Sequence, residues 1–272
     1  MIPASFDYLR ASSADEAVSM LRQHGDEAKL LAGGHSLLPL MKLRLATPSV
    51  VIDVGRLRDL SYVRESGDTV SIGALTRHRD VETSDVLQRD VPVLAHVAGL
   101  VGDPQVRHRG TIGGSLAHGD PASDLPAVVL ALGSTLVAQG PGGRREIGAA
   151  DFFRGFLETA LAPDEMLVEI RVPKARGGWS YQKFNRRAID WAIVGVAAVR
   201  NGGTGVALVN MGSTPVRATA VEQALAQGAS AADAAAHADE GTDPPADLNA
   251  SVEYRRHLAR VLVRRALEQA GA

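Results

Sequence analysis

Two glycine pairs limit where this chain turns and what those turns can hold. Gly33-Gly34 lies within Ala32-Gly33-Gly34-His35-Ser36, and Gly113-Gly114 lies within Thr111-Ile112-Gly113-Gly114-Ser115, 80 residues further on. Each pair is followed, directly or after one residue, by a hydroxyl side chain. Consecutive glycines allow successive backbone N–H groups to converge into a concave nest for an anion. Ser36 is placed to cap a helix starting at Leu37, which would turn the positive end of that helix toward the same point. Two such nests suit a pyrophosphate, which offers oxygens on two phosphorus atoms. Neither turn fits G-x-G-x-x-G, and the Lys of a P-loop is missing. Taken alone, either turn could also be no more than a tight connection.

The surrounding pattern alternates helices and strands. Ser13 to Glu16 reads as a capping box that opens a helix on Ala17, Val18, Met20 and Leu21, with Gly25 as its stop. Strands are expected at Lys29–Leu31, Val50–Val54, Val70–Ala74, Thr135–Ala138 and Leu167–Val172. Helices are expected at Leu37–Leu43, Pro92–Val101 and Ser123–Leu132. Lys174–Gly178 reads as a linker. Beyond it lie strands at Ser180–Phe184, Ile193–Arg200 and Val206–Asn210, and a helix at Val216–Gln227. Ala229–Ala250, rich in Ala, Asp and Pro, reads as loosely ordered. A terminal helix spans Glu253–Gln269.

Composition removes several function classes. The 272 residues include 45% hydrophobic and 22% charged, with a formal net charge of −2. Nothing in that balance favours nucleic acid or an anionic membrane. No apolar run approaches the ~20 residues of a membrane span, and the first residues lack a signal-peptide pattern, so a cytoplasmic protein is expected. There is no cysteine. Disulfides, thiolate zinc sites and a Cys-ligated Fe–S cluster are therefore excluded from this chain. His118, Asp120 and Asp124 could suggest a metal site, but Pro121 breaks the helical spacing that would align them.

Three ordered stretches carry a family resemblance. They are Ala32-Gly33-Gly34-His35-Ser36-Leu37-Leu38-Pro39, the run from Thr111 to Asp124, and Lys183 with Arg187-Ala188-Ile189-Asp190-Trp191-Ala192. With the opening Ile2-Pro3-Ala4-Ser5-Phe6-Asp7-Tyr8, they resemble the FAD-binding medium subunits of molybdenum hydroxylases, the carbon monoxide dehydrogenase and xanthine dehydrogenase family. The likeness runs over essentially the whole chain. His108 and Gly119 depart from the commoner Asn and Ala without removing a phosphate donor.

The resemblance implies an α+β fold. A two-subdomain FAD-binding domain of the vanillyl-alcohol-oxidase-like type, over residues 1–173 with subdomains of about 1–55 and 56–173, would precede a smaller antiparallel sheet-plus-helices domain over 178–272. It implies non-covalent FAD held by Lys29, Leu30, Leu31, Ala32, Gly33, Gly34, His35 and Ser36, and by Thr111, Ile112, Gly113, Gly114 and Ser115. Asp124 would accept a hydrogen bond from a cofactor hydroxyl, and Val101, Leu167 and Lys183 would be further contacts. Trp191 could stack beside the isoalloxazine or belong to the core. No catalytic residue is implied.

The implied partners are a small [2Fe–2S] subunit and a large molybdenum-cofactor subunit, assembled as a dimer of heterotrimers. This chain would pass electrons from the clusters to a final acceptor. A self-sufficient FAD oxidoreductase of the same fold and a flavin-free scaffold subunit are the alternatives.

Overall fold

The computed structural model describes residues 2–272. Its first layer is a small parallel sheet. β1 (Asp7–Arg10) and β2 (Ala28–Leu31) flank β3 (Val50–Asp53) in the order β1-β3-β2. Val50, Val51 and Ile52 are all buried, as a central parallel strand requires. Between β1 and β2 runs α1 (Ala14–His24), whose Ser13 cap accepts from Glu16 N at 3.1 Å. The Glu16 carboxylate reaches back to Ser12 N at 2.6 Å, one residue earlier than a standard capping box. Ala14, Ala17, Val18 and Leu21 form the buried stripe, and Met20 is only half-buried at its edge. α2 (Leu37–Lys42) follows β2.

The second layer is an antiparallel sheet in the order β4-β5-β10-β6-β7. Its strands are β4 (Val63–Ser66), β5 (Thr69–Gly73), β6 (Thr135–Gly140), β7 (Gly143–Gly148) and, after a small hairpin of β8 (Phe153–Gly155) and β9 (Glu158–Thr159), β10 (Met166–Pro173). The alternation expected from Leu167 to Val172 is broken by a register shift between Leu167 and Glu169. That irregularity puts Leu167 in the same core cluster as Ile170 and Val172, while Met166 and Val168 pack toward the parallel sheet.

Helices fill the chain between β5 and β6. They are α3 (His78–Glu82), α4 (Asp85–Asp90), α5 (Pro92–Ala98), α6 (Pro104–Arg109), α7 (Ile112–His118) and α8 (Asp124–Ala131). The expected helix to Val101 stops at Ala98. The second glycine segment is not an open turn but the first turn of α7. α9 (Ala149–Phe152) leads into the β8–β9 hairpin.

A four-stranded antiparallel sheet of β11 (Trp179–Phe184), β12 (Val194–Arg200), β13 (Thr204–Val209) and β14 (Val216–Arg217) builds the last hundred residues. Val216 pairs with Leu208 instead of opening a helix, so α10 begins at Thr219 (Thr219–Ala226). The alanine-rich stretch expected to be loose contains α11 (Ala231–Ala235), and Ala234, Ala235, Ala238 and Ala250 are buried. Small side chains let it lie close to the terminal helix α12 (Val252–Ala270). The Lys174–Gly178 segment is fastened rather than free. Lys174 N donates to Asp68 O and Ala175 N to Asp90 O, both at 2.8 Å, and Lys174 and Arg176 both pair with the buried Asp90 carboxylate.

Candidate functional site

The two glycine segments meet at the ends of the first two sheets. A Cβ on Gly33 would stand 2.4 Å from Arg109 O and 2.8 Å from Gly110 Cα, so the first loop lies directly on the lead-in to α7. Gly34 has φ +79°, a left-handed conformation suited to glycine. Beyond β2 the backbone N–H groups of Gly33, Gly34, His35, Ser36 and Leu37 find no acceptor among the described residues. Five consecutive donors are thus left free, as an anion nest requires. Ser36, however, makes no side-chain cap to α2, and its own backbone is helical.

The second segment is built differently. Thr111 caps α7 by accepting from Gly114 N at 3.1 Å. Ile112 N donates to Thr76 O at 3.0 Å, Gly113 N to Ala74 O at 2.8 Å and Ser115 N to Thr111 O at 3.0 Å. The expected second nest therefore has its N–H groups already spent. A Cβ on Gly113 would sit 2.5 Å from both Cβ and O of Ala74. That glycine exists so that α7 can dock on the segment after β5. Ser115 still lines the cavity and offers a hydroxyl.

Between the segments opens a cavity of about 640 Å³, within the range of cofactor sites. Of the residues expected at a site, Lys29, Leu30, Ala32, Gly33, Gly34, His35 and Ser36 line it, as do Val101, Thr111, Gly113, Gly114, Ser115, Asp124, Leu167, Lys183 and Trp191. Leu31 and Ile112 do not: Leu31 lies beside the loop on β2, and Ile112 is fully buried in the core. Trp191 is 58% exposed at the cavity, so it is not a core residue. Ile189 and Asp190 stand with it.

Sequence reasoning missed His78, Leu75 and Met166 in the wall. No local pattern marks them. The chain reversal between β5 and α7 brings His78 beside Gly110, and the start of β10 brings Met166 to the wall beside Leu167.

Asp124 and Lys183 form the buried polar centre. Lys183 Nζ lies 2.9 Å from Asp124 Oδ2 and 3.3 Å from Leu100 O, and Tyr181 donates to Asp124 Oδ1 at 2.5 Å. Burial pushes the Asp124 carboxyl up, against the opposing pull of the Lys183 ammonium. Burial also drives the Tyr181 phenol well above its ordinary value, keeping it a donor. Burial, with His35, Arg107 and Arg77 nearby, lowers the His78 imidazole to about 4. Arg107 is turned inward, bonding the carbonyls of Val101 and Gly102 with its Nε 3.2 Å from Glu82, while Arg109 is exposed. Among the described residues no group of three or more His, Cys, Asp or Glu side chains converges to hold a metal.

Residues 4–175 match the model of the FAD binding domain in molybdopterin dehydrogenase. Residues 179–270 match that of the CO dehydrogenase flavoprotein C-terminal domain. The chain belongs to the FAD-binding medium subunits of carbon monoxide dehydrogenase-type molybdenum hydroxylases.

Within this family it is 44% identical, over 100% of its own length and 99% of the relative, to the carbon monoxide dehydrogenase medium chain of Hydrogenophaga pseudoflava. It is 37% identical to the glyceraldehyde dehydrogenase medium chain of Sulfolobus acidocaldarius, over 99% of each. A solved carbon monoxide dehydrogenase from Hydrogenophaga pseudoflava, one lacking the Mo-pyranopterin moiety of its molybdenum cofactor, superimposes with a TM-score of 0.96 at 46% identity, covering 100% of this chain and 99% of that one. The family resemblance and the α+β fold it implied are both borne out. No described helix is long and apolar enough to cross a membrane.

Proposed function

We propose that this medium subunit holds FAD non-covalently in the cavity between the glycine segments and works as the electron relay of its complex. The observation that carries this reading is the run of five unpartnered N–H groups from Gly33 to Leu37 at the wall of that cavity. A buried or half-buried amide without a partner is costly, and a diphosphate supplies the missing acceptors.

The residues fit the group. The loop at Lys29–Ser36 would take the diphosphate, with the hydroxyls of Thr111 and Ser115 opposite. Leu31 and Ile112 would serve through the backbone that carries the two segments, and Gly113 and Gly114 by letting that backbone come close. Asp124, bonded by Lys183 and Tyr181, would accept from a cofactor hydroxyl. Val101 and Leu167 would supply apolar wall, and Trp191 would cover the exposed side of the ring system. Bound there, FAD would take electrons one at a time from the [2Fe–2S] clusters of a small partner subunit, themselves fed by a large molybdenum-cofactor subunit, and yield a pair to a final acceptor. The chain's part is to bind, orient and shield the cofactor.

The same reading takes residues 1–173, divided near 55, and 178–272 as the two domains, a dimer of heterotrimers as the assembly and the cytoplasm as its place. The substrate is decided in another chain, since relatives of similar identity are named for carbon monoxide and for glyceraldehyde.

The test combines release and reconstitution. Acid or heat denaturation of the purified chain should free flavin into the supernatant. Substrate should reduce the flavin only when the cluster and molybdenum subunits are added back. Flavin reduction by substrate with this chain alone would defeat the relay and favour a self-sufficient oxidoreductase.

A further inference from the structure

His78 opens α3 just behind β5, and its N–H donates to Gly110 O at 3.0 Å. Its ring packs against the same glycine. A Cβ on Gly110 would stand 2.7 Å from His78 Cδ2 and 2.9 Å from Nε2. Gly33 also packs on Gly110, with its own Cβ position 2.8 Å from Gly110 Cα. The imidazole, Gly110 and the first residue of the unpartnered loop are thus in direct succession, and all three line the cavity.

The side chain is 4% exposed, yet neither ring nitrogen has a partner among the described residues. Nδ1 is sealed from solvent without a hydrogen bond; Nε2, also without one, is not sealed in this way, and the residue lines the cavity. A buried bare acceptor is tolerated better than a buried orphan N–H, so the neutral ring keeps its hydrogen on Nε2, the nitrogen that is not sealed off. The cations around it are Arg77 beside it in the chain and Arg107 of α6, with the His35 ring of the loop nearby. The nearby carboxylate, Glu82, is engaged by Arg107 and Arg79. Such surroundings repel a second cation and receive an anion.

We propose that His78 is a binding residue for the cofactor diphosphate, donating from Nε2 beside the N–H groups of the 33–37 loop, and that cofactor binding draws a proton onto its ring. This rests on the FAD reading above. In the free cavity burial and the neighbouring cations keep the ring neutral. Two permanent phosphate charges within hydrogen-bond reach reverse that field and favour the imidazolium. Bound protein then holds the proton more tightly than free protein, so affinity rises as pH falls. The diphosphate of FAD is esterified at both ends and has no titration of its own near neutrality, so the linked proton must come to the protein.

The experiment uses the full chain freed of flavin. FAD binding is followed by flavin fluorescence from pH ~8 down to ~5.5, and calorimetry in two buffers of different ionisation heat counts protons taken up. Wild type should tighten by up to about tenfold per pH unit, the limit for one linked proton, with net uptake. Riboflavin, which has no phosphate, should bind without uptake. His78→Gln, which keeps a donor but cannot take the proton, should lose both slope and uptake, whereas His35→Gln should keep the slope. If His78→Gln does not fold, the wild-type proton counts with FAD and with riboflavin decide. No uptake by wild type, equal uptake with riboflavin, a slope that survives His78→Gln or one that vanishes in His35→Gln would each overturn the assignment. FAD bound without a linked proton defeats only this inference. Failure to bind FAD at any pH defeats the functional reading beneath it.

Discussion

The glycines of the two segments serve different physical ends. Gly34 is needed for its φ of +79°, and its N–H is among the free donors of the loop. Gly33 is needed because Arg109 O occupies the place of a side chain. Gly113 is needed for contact with Ala74, away from any phosphate donor. The two segments should therefore respond differently to the smallest side chain. Gly34→Ala strains the backbone by about 1–2 kcal/mol at the point where the loop must hold its amides toward the ligand. It should weaken FAD binding by roughly tenfold and lower the unfolding midpoint of the flavin-free chain only by the few degrees that this strain amounts to. Gly113→Ala should lower the unfolding midpoint further, because α7 is pushed off the segment after β5. Equal FAD affinity in Gly34→Ala and wild type would place the diphosphate elsewhere.

At the scale of elements, the rim of the cavity depends on its distant supports. The loop between β11 and β12 carries Ile189, Asp190 and Trp191, and its far end is held by α12. Arg255 of α12 is fully buried, donates to Ile193 O and pairs with Asp247 Oδ2 at 2.8 Å. Asn210, with φ +61°, adds a bond from its Nδ2 to Ala192 O at 2.9 Å and one from its N to Pro121 O at 2.8 Å. Arg255→Met keeps much of the volume but leaves Ile193 O without its buried donor. A loss of about 2 kcal/mol is expected, discounted because Asp247 is partly exposed, and it should be read from the urea midpoint. Tryptophan emission should also change, since Trp191 sits on the loop that loses its anchor. A variant as stable as wild type would mean that the loop holds itself.

Across the whole molecule, one buried polar cluster joins the part matched by the FAD-binding model to the C-terminal part. Asp124 belongs to α8, and Tyr181 and Lys183 belong to β11. Asp124 and Lys183 are 6% and 9% exposed, so neither charge is relieved by water. Lys183→Met would leave Asp124 buried with only Tyr181 as partner, at a cost of about 3 kcal/mol. Because the same carboxylate lines the cavity, FAD affinity should fall together with stability. Lys183→Met with Asp124→Asn should recover much of the stability without recovering the affinity, which separates the two roles. Recovery of both would remove Asp124 from the list of cofactor ligands.

The sequence by itself determined the local elements and the class of ligand. Ser13 and Gly25 bound α1, the run Val50-Val51-Ile52 can only be an interior strand, and the Gly33-Gly34 loop suits an anion through its free backbone donors, all within a few residues of chain. Tertiary structure decided what each donor does. The N–H groups near Gly113 are free in the sequence and bound in the fold, because the carbonyls of Ala74 and Thr76 come from a strand end nearly forty residues earlier. Val216 lies just ahead of a helical pattern but joins β13, because Leu208 waits opposite it. His78 is one histidine between two arginines until the chain doubles back and sets it on Gly110. Helix caps and strand runs depend on near neighbours, which sequence order preserves. Acceptors, cavities and buried charges depend on chain returns, and those are fixed only when the sheets close.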